Sequence, residues 1–184
     1  MRVISGTAKG HKLKMVPGDK TRPITDRVKE NLFNILGDWV SGTLWLDIFA
    51  GTGQVGIEAL SRGAESVVFV DNSRLAIRTI QQNLEHTKLA EKAQVILTDA
   101  FSYLALDNFH RPYDVIYVAP PQYQGIWSRM LLLLDHSTES VLKDDGLIII
   151  QIDPKEYEEI ALENLRITDQ RRYGNTLLGF FEPV

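Results

Sequence analysis

Leu46-Asp47-Ile48-Phe49-Ala50-Gly51-Thr52-Gly53-Gln54-Val55-Gly56 is the stretch that decides the fold. An apolar run that contains an acid is followed by three glycines in the pattern G-x-G-x-x-G. Glycines at this spacing allow a tight turn from a strand into a helix and let a ligand approach the backbone closely. The stretch predicts a strand–turn–helix unit that binds a nucleoside. A tight turn with a purely structural role is the alternative.

Downstream of this unit, apolar runs alternate with stretches of helical periodicity. Strands are predicted at Leu44–Phe49, Ser66–Val70, Gln94–Leu97, Val115–Val118 and Leu147–Ile152. Helices are predicted at Val55–Arg62, Ser73–His86, Phe101–Leu106 and Trp127–Leu142. Strands that are apolar throughout and separated by helices indicate a parallel sheet covered on both faces.

The end of the chain has a different pattern, because β-rich runs at Leu165–Arg172 and Thr176–Phe181 flank Gly174-Asn175. A glycine and an asparagine between such runs favour a hairpin turn. The predicted fold class is therefore α/β: a doubly wound sheet of about seven strands, mostly parallel, with a C-terminal antiparallel hairpin.

Length and composition narrow the class of protein. The chain has 184 residues and no cysteine, so we expect one compact core and neither a disulfide nor a thiolate metal site. The four histidines lack the spacing of metal ligands, and we predict no bound metal. No apolar run approaches the ~18 residues of a membrane span and no signal peptide opens the chain, which predicts a cytoplasmic protein without a membrane partner.

The net charge of −4 conceals an asymmetry. Residues 1–25 carry a net charge of +5, whereas residues 26–184 carry −9. Strand-like pieces around Gly6 and Gly10 predict a small hairpin, and a helix is predicted from Thr25 or Asp26 to Gly37. A basic arm on an acidic body is typical of proteins that contact a polyanion, although a solvated lysine-rich surface is the alternative.

Three acids follow or end successive predicted strands: Asp47, Asp71 and Asp99. An acid at the end of the second strand suits hydrogen bonds to ribose hydroxyls, which first suggests NAD. Asp47 argues against NAD, because a carboxylate beside the glycine loop would repel a pyrophosphate. It would instead attract the α-ammonium group of S-adenosylmethionine. Asp99 suits the adenine amine, and a helix N-cap is an equally good interpretation.

The fourth strand ends in Ala119-Pro120-Pro121-Gln122-Tyr123. Two consecutive prolines make a rigid, extended turn whose carbonyl groups are free to accept hydrogen bonds from a substrate amine. A simple strand stop is the alternative.

These motifs resemble the Rossmann-like methyltransferases, and specifically the RsmD family, which methylates a guanine N2 in small-subunit (16S) ribosomal RNA. The resemblance rests above all on the Arg22-Pro-Ile-Thr-Asp-Arg-Val28 segment joined to the glycine loop. Further matching segments are 2–6, 10–13, 32–36, 58–64 and Tyr173-Gly-Asn-Thr176.

The resemblance implies a role for each matching position. The residues that would bind S-adenosylmethionine are Asp47, Phe49, Gly51, Gly53, Asp71, Asn72, Asp99 and Ala100. The turn that would hold the target amine comprises Ala119, Pro120, Pro121 and Tyr123. A basic hairpin and helix at residues 1–37 would bind ribosomal RNA or an assembling small subunit through Lys9, Lys12, Lys14, Arg22, Thr25 and Arg27. Residues 38–184 would form the methyltransferase domain.

One position departs from the family pattern. Related amino-methyltransferases carry Asp or Asn where this chain has Ala119, and the aromatic residue is displaced by one position to Tyr123. The backbone carbonyls near Ala119 and Pro120 would then be the acceptors, with Gln122 or Asp114 as alternative polar substitutes. The departure keeps a second hypothesis open, namely a catalytically weak or silent module that binds RNA or S-adenosylmethionine.

Overall fold

The computed structural model describes residues 1–18, 23–105 and 111–184, which fall into two compact units, Met1–Tyr103 and Leu104–Val184. The helices are α1 (Asp26–Leu36), α2 (Gln54–Ser61), α3 (Arg74–Thr87), α4 (Ala100–Ala105), α5 (Ile126–His136) and α6 (Thr138–Val141). The strands are β1 (Leu44–Asp47), β2 (Ser66–Asp71), β3 (Ala93–Leu97), β4 (Tyr113–Val118), β5 (Leu142–Ile152), β6 (Leu165–Tyr173) and β7 (Thr176–Pro183). Within the described ranges, no helix is both long enough and apolar enough to span a bilayer.

The N-terminal unit is built on three parallel strands in the order β3-β2-β1. All four residues of β1 are buried, as expected for a central strand covered on both faces. Helix α2 follows β1, and all eight of its residues are buried as well. This helix therefore packs against protein on every side rather than presenting a polar face to water.

The predicted N-terminal hairpin is present as a short antiparallel pairing. The N–H of Val3 donates to the carbonyl of His11 at 3.0 Å, and that of Leu13 to Met1 at 3.2 Å. Helix α1 follows, capped by the Thr25 side chain, which accepts the N–H of Val28 at 3.3 Å. The predicted helix start and its glycine end at Gly37 are thus confirmed.

A buried carboxylate, Glu58 of α2, anchors this hairpin. Its two oxygens accept the N–H groups of Ile4 and Ser5 at 2.8 and 3.0 Å, and one of them also accepts Nε of Arg62 at 2.8 Å. Nζ of Lys29 on α1 lies 3.4 Å from Oε2, and both side chains are fully buried. Burial lowers the pKa of Lys29, whereas the Glu58 charge opposes that shift.

The C-terminal unit has its strands in the order β4-β5-β7-β6. β4 and β5 are parallel, and β7 lies antiparallel to both β5 and β6. The predicted C-terminal hairpin is therefore confirmed. The described residues form seven strands, mostly parallel, with an antiparallel pair at the end of the chain, so the predicted α/β fold class is confirmed too.

The predicted end of one helix was wrong. Trp127–Leu142 is not continuous, because α5 ends at His136, α6 contains only four residues, and Leu142 already begins β5. Leu142 pairs with Tyr113 of β4 and is buried there. The apolar spacing of this segment is compatible with a helix. The pairing of Leu142 with Tyr113, 29 residues earlier in the chain, nevertheless places Leu142 in a strand. Leu106, the predicted last residue of the Phe101–Leu106 helix, lies outside the described residues.

Replacing Glu58 with alanine should destabilise the fold strongly. The change leaves the Lys29 ammonium buried without its carboxylate and removes the acceptor of two backbone N–H groups, so we expect a loss of about 3–5 kcal/mol. Urea unfolding followed by circular dichroism measures this loss. Glu30→Ala, which removes an exposed carboxylate of α1, is the matched control and should stay within about 0.5 kcal/mol of the unmodified protein. A similar, small loss for both variants would contradict the anchoring role of Glu58.

Candidate functional site

The carboxyl ends of β1, β2 and β3 bring the predicted cofactor residues to one edge of the N-terminal unit. Asp47 ends β1 opposite Phe69 of β2, and Asp71 ends β2 opposite Leu97 of β3. Ligands of open α/β sheets bind at this edge, because the loops that follow parallel strands converge there. The structure thus places Asp47 and Asp71 at the same edge of the sheet, as the sequence predicts.

The glycine loop between β1 and α2 is held closed by Asp71. Its Oδ2 accepts the N–H of Gly51 at 2.9 Å, and its Oδ1 accepts the N–H of Ser73 at 2.8 Å. Each carboxylate oxygen has a second lone pair, so the hydrogen bonds leave capacity to accept ribose hydroxyls. Asp71 therefore shapes the loop in addition to the ligand-binding role that the sequence assigns to it.

At two positions of the loop, the structure shows why the residue is glycine. Gly53 caps α2 with φ 75°, a left-handed conformation that side chains with a Cβ rarely adopt. Gly56 lies so close to β2 that a Cβ there would meet the Phe69 ring at 2.3 Å. The turn and the close packing of α2 on the strand both require glycine.

Asp47 is the most unusual group of the site. The residue is only 2% exposed, and its Oδ1 has no hydrogen-bond partner within the described part of the chain. Burial raises the pKa of Asp47 to about 7, a backbone hydrogen bond from Gly56 lowers it, and the nearby Asp71 charge raises it. A buried carboxylate with an unpaired oxygen fits a cationic ligand, since a positive group would supply the missing partner. The α-ammonium of S-adenosylmethionine is such a group.

The remaining predicted cofactor residues lie around the same strand ends. Oδ1 of Asp99 accepts the N–H of Ser102 at 2.9 Å, so Asp99 does cap a helix, and its exposed carboxylate retains lone pairs for an adenine amine. Ala100 is buried, Phe49 is half-buried and Asn72 is exposed. In the ranges that the structure describes, no group of three or more His, Asp or Glu side chains is arranged to hold a metal ion.

The predicted substrate turn follows β4 in the C-terminal unit. Pro120 is buried, Ala119 is half-buried, and Tyr123 is 64% exposed. Asp114 does not substitute for the missing acid. It lies near the opposite end of β4 from Ala119, where its Oδ1 accepts Nζ of Lys143 at 2.8 Å. Gln122 is half-buried beside the turn.

Those predicted RNA-binding residues that the structure describes lie on the N-terminal hairpin or at the start of α1. Lys9, Lys12 and Arg27 are exposed, while Nζ of Lys14 donates to Oε1 of Gln82 at 3.1 Å on the surface. The Thr25 side chain is engaged as the N-cap of α1. Arg22 lies outside the described residues.

Asn83 of α3 is a supporting residue that sequence reasoning missed. Fully buried, it accepts the N–H of Lys14 at 2.7 Å and donates to the carbonyls of Lys14 and Thr52 at 3.1 and 3.0 Å. It therefore ties the N-terminal segment to the glycine loop. The available signal was a polar residue at helical spacing from Ile80, on the apolar face of α3.

Comparisons with known proteins agree with this geometry. A family model described as conserved hypothetical protein 95 matches residues 1–182. The chain is 39% identical over 183 residues to YlbH of Bacillus subtilis (strain 168), provisionally named an rRNA methyltransferase, with 99% of this chain and 98% of that one covered. It is 34% identical over 151 residues to ribosomal RNA small subunit methyltransferase D of Escherichia coli (strain K12), with 82% of this chain and 74% of that one covered. The chain belongs to the RsmD family of S-adenosylmethionine-dependent methyltransferases.

A solved structure extends the likeness to the fold. The Escherichia coli protein yhhF, provisionally named a methyltransferase, matches with a TM-score of 0.85 at 30% identity, and 100% of this chain and 97% of that one are covered. The resemblance to the RsmD family, the Rossmann-like fold and S-adenosylmethionine as the cofactor are thereby confirmed. S-adenosylmethionine therefore replaces NAD as the cofactor assignment.

Affinity for S-adenosylmethionine should rise with pH on the acidic side of neutrality. The pKa of Asp47 in the free protein is about 7, and the ionised form binds a cation better, so the bound state holds fewer protons. We expect the association constant to increase from about pH 5.5 to about pH 7, approaching tenfold per unit at the acidic end. Calorimetric titration at several pH values measures it.

Asp47→Asn is the matched control, because it keeps the size of the side chain and removes its titration. This variant should bind more weakly and lose the pH dependence attributed to residue 47. The same pH profile in Asp47→Asn and in the unmodified protein would refute the role of this carboxylate.

Proposed function

We propose that this protein transfers a methyl group from S-adenosylmethionine to the exocyclic N2 of a guanine in 16S ribosomal RNA. The observation that carries the substrate assignment is the 34% identity to ribosomal RNA small subunit methyltransferase D of Escherichia coli, together with the RsmD-type segments from the N-terminal hairpin to Tyr173-Gly-Asn-Thr176. The substrate would be ribosomal RNA or an assembling small subunit, which places the reaction in the cytoplasm.

The residues of the N-terminal unit would bind the cofactor. Asp47 supplies a buried negative charge for the amino-acid end, and Gly51 and Gly53 let that end approach the backbone. Asp71 would accept the ribose hydroxyls and Asp99 the adenine amine. Phe49, Asn72 and Ala100 would complete the surroundings of the nucleoside. The cofactor supplies a methyl group on a sulfonium centre.

The turn after β4 would hold the guanine. Pro120 and Pro121 have no N–H to donate, so the backbone carbonyls at Ala119 and Pro120 would accept the N2 amine. A guanine in a folded RNA is reachable only after it leaves its stack, and an exposed aromatic ring such as Tyr123 is a suitable platform for it. Transfer to a neutral amine depends mainly on proximity and orientation, so the absence of an acid at position 119 would slow the reaction without abolishing it.

The N-terminal region, residues 1–37, would contact the RNA backbone. Lys9, Lys12 and Lys14 are exposed, while the backbone N–H groups of Ile4 and Ser5 are bound to α2 through Glu58, so these three charges are presented from a fixed support. Thr25 and Arg27, at the start of α1, would extend this surface, and the family resemblance assigns RNA binding to Arg22 as well.

A methyl-transfer assay tests the proposal. Unmodified small ribosomal subunits are incubated with the protein and radiolabelled S-adenosylmethionine, and the RNA is digested to nucleosides. We expect label in N2-methylguanosine, and loss of that label with Asp71→Ala, which removes both the proposed ribose acceptor and the partner of the Gly51 N–H. Label in another nucleoside would overturn the guanine N2 assignment.

The silent-module hypothesis is separated by the same assay. Ala119 favours it, because a polar group at that position orients the amine and is worth ~10²–10⁴-fold in rate. Binding of RNA and S-adenosylmethionine without any incorporation would support this second hypothesis. Incorporation into guanine would refute it.

Removing two lysines of the hairpin should weaken RNA binding and make it less sensitive to salt. Lys9→Gln combined with Lys12→Gln removes two phosphate-binding charges, so we expect the slope of log K against log [salt] to become shallower by about 1.5. Filter binding of 16S ribosomal RNA across a salt series measures the slope. The matched control, Lys88→Gln with Lys92→Gln at two exposed positions between α3 and β3, should leave the slope unchanged. Equal effects of both pairs would locate the RNA surface elsewhere.

A further inference from the structure

The turn after β4 contains a residue in an unfavourable backbone conformation. Tyr123 has φ 60°, in the left-handed region, and among the described non-glycine residues only Lys88 shares a positive φ. Such a conformation crowds the Cβ against the backbone and persists only where the surroundings impose it. The groups that impose it are therefore informative about the turn.

Two carboxylates of the segment after β5 hold Tyr123 at both of its ends. Its backbone N–H donates to Oε1 of Glu156 at 2.5 Å, and its hydroxyl donates to Oδ2 of Asp153 at 2.6 Å. The first bond fixes the backbone and the second fixes the tip of the ring. Because the partners lie 33 and 30 residues further along the chain, local sequence does not reveal this pairing.

Asp153 is itself immobilised and ionised. Its Oδ1 accepts the N–H of Lys155 at 2.9 Å and caps the short 3₁₀ helix Pro154–Glu156. The hydrogen bond from Tyr123, followed by that from the Lys155 backbone, lowers the pKa of Asp153. A charged acceptor makes the hydroxyl bond stronger than one between neutral groups.

Glu156 accepts the Tyr123 N–H at a structural cost. Its Oε2 is buried and has no hydrogen-bond partner among the residues described. Native proteins rarely leave a buried polar atom unpaired without a reason. This cost is consistent with a requirement that Tyr123 be kept in its left-handed backbone conformation.

The ring of Tyr123 is held in place and yet open to solvent. The residue is 64% exposed although its hydroxyl and its N–H are both bonded. An aromatic side chain that served packing alone would be buried. A fixed, exposed ring is instead suited to stacking with a base, because little conformational freedom remains to be lost on binding.

We propose that Asp153 and Glu156 are positioning residues that hold Tyr123 as a preformed platform for the target base. They provide order at a turn whose first residue, Ala119, has no polar side chain to orient the substrate. The inference rests on the proposed function, since it assigns a role within the methyl transfer to RNA.

Kinetic measurements on small subunits test the pairing. Asp153→Ala and Glu156→Ala should each lower kcat about ten- to a hundredfold, because misplacement of a substrate contact by about 1 Å has effects of this size. The affinity for S-adenosylmethionine, measured by calorimetry, should stay within about twofold. Glu156→Gln keeps an acceptor oxygen and should restore most of the rate.

A double-variant cycle separates positioning from general damage. Tyr123→Phe removes only the hydroxyl and should lower kcat as Asp153→Ala does, and combining the two should add little, since both delete the same bond. Asp145→Ala and Glu159→Ala, which remove exposed carboxylates of the same unit, are the matched controls and should leave kcat unchanged. Should Asp153→Ala fail to fold, Tyr123→Phe at an exposed position carries the test.

The outcomes are distinguishable. Full activity of Tyr123→Phe, Asp153→Ala and Glu156→Ala alongside an active unmodified protein would overturn this inference and leave the proposed function intact. Rate losses that follow the urea midpoint of each variant, with additive effects in the cycle, would also overturn it. Absence of guanine labelling by the unmodified protein would overturn the proposed function and this inference together.

Discussion

The buried carboxylate of Glu58 is the constraint on which the N-terminal unit depends. It accepts two backbone N–H groups of the N-terminal hairpin and lies beside the fully buried ammonium of Lys29. Removing one partner of a buried ion pair is strongly destabilising, because the other charge is left buried and uncompensated. Because Glu58 belongs to α2, the helix that carries the glycine loop at its start also supports the basic hairpin. A change in the packing of this helix would affect both surfaces.

Two further polar groups link the glycine loop to its surroundings. Asp71 accepts the N–H of Gly51, and Asn83 bonds to the carbonyl of Thr52. The loop is thus shaped before a ligand arrives, whereas Asp47 stays buried with an oxygen unpaired among the described residues. A loop shaped in advance and a buried carboxylate with an unpaired oxygen suit the proposed binding of a nucleoside that carries a positive charge.

The C-terminal unit contains two arrangements of carboxylates that accept hydrogen bonds, and they differ in what they hold. Asp135 on α5 accepts the N–H groups of Glu163, Asn164 and Leu165 at 2.8–3.0 Å and so fixes the start of β6. Asp153 and Glu156 bind Tyr123 instead, and there the bonds hold a strained, exposed residue rather than a strand. The contrast supports a functional role for the second arrangement, because the first shows what a structural carboxylate does in this unit.

Periodicity and turn chemistry act over a few residues, and they were sufficient to predict the alternation of strands and helices, the C-terminal hairpin and the positions of Asp47, Asp71 and Asp99. Only the tertiary fold decided that Leu142 begins a strand and that Asn83 and Glu58 are buried connectors. It also decided the raised pKa of Asp47 and the pairing of Tyr123 with Asp153 and Glu156. These features depend on burial and on contacts between residues some 30 or more positions apart, and no local pattern encodes them.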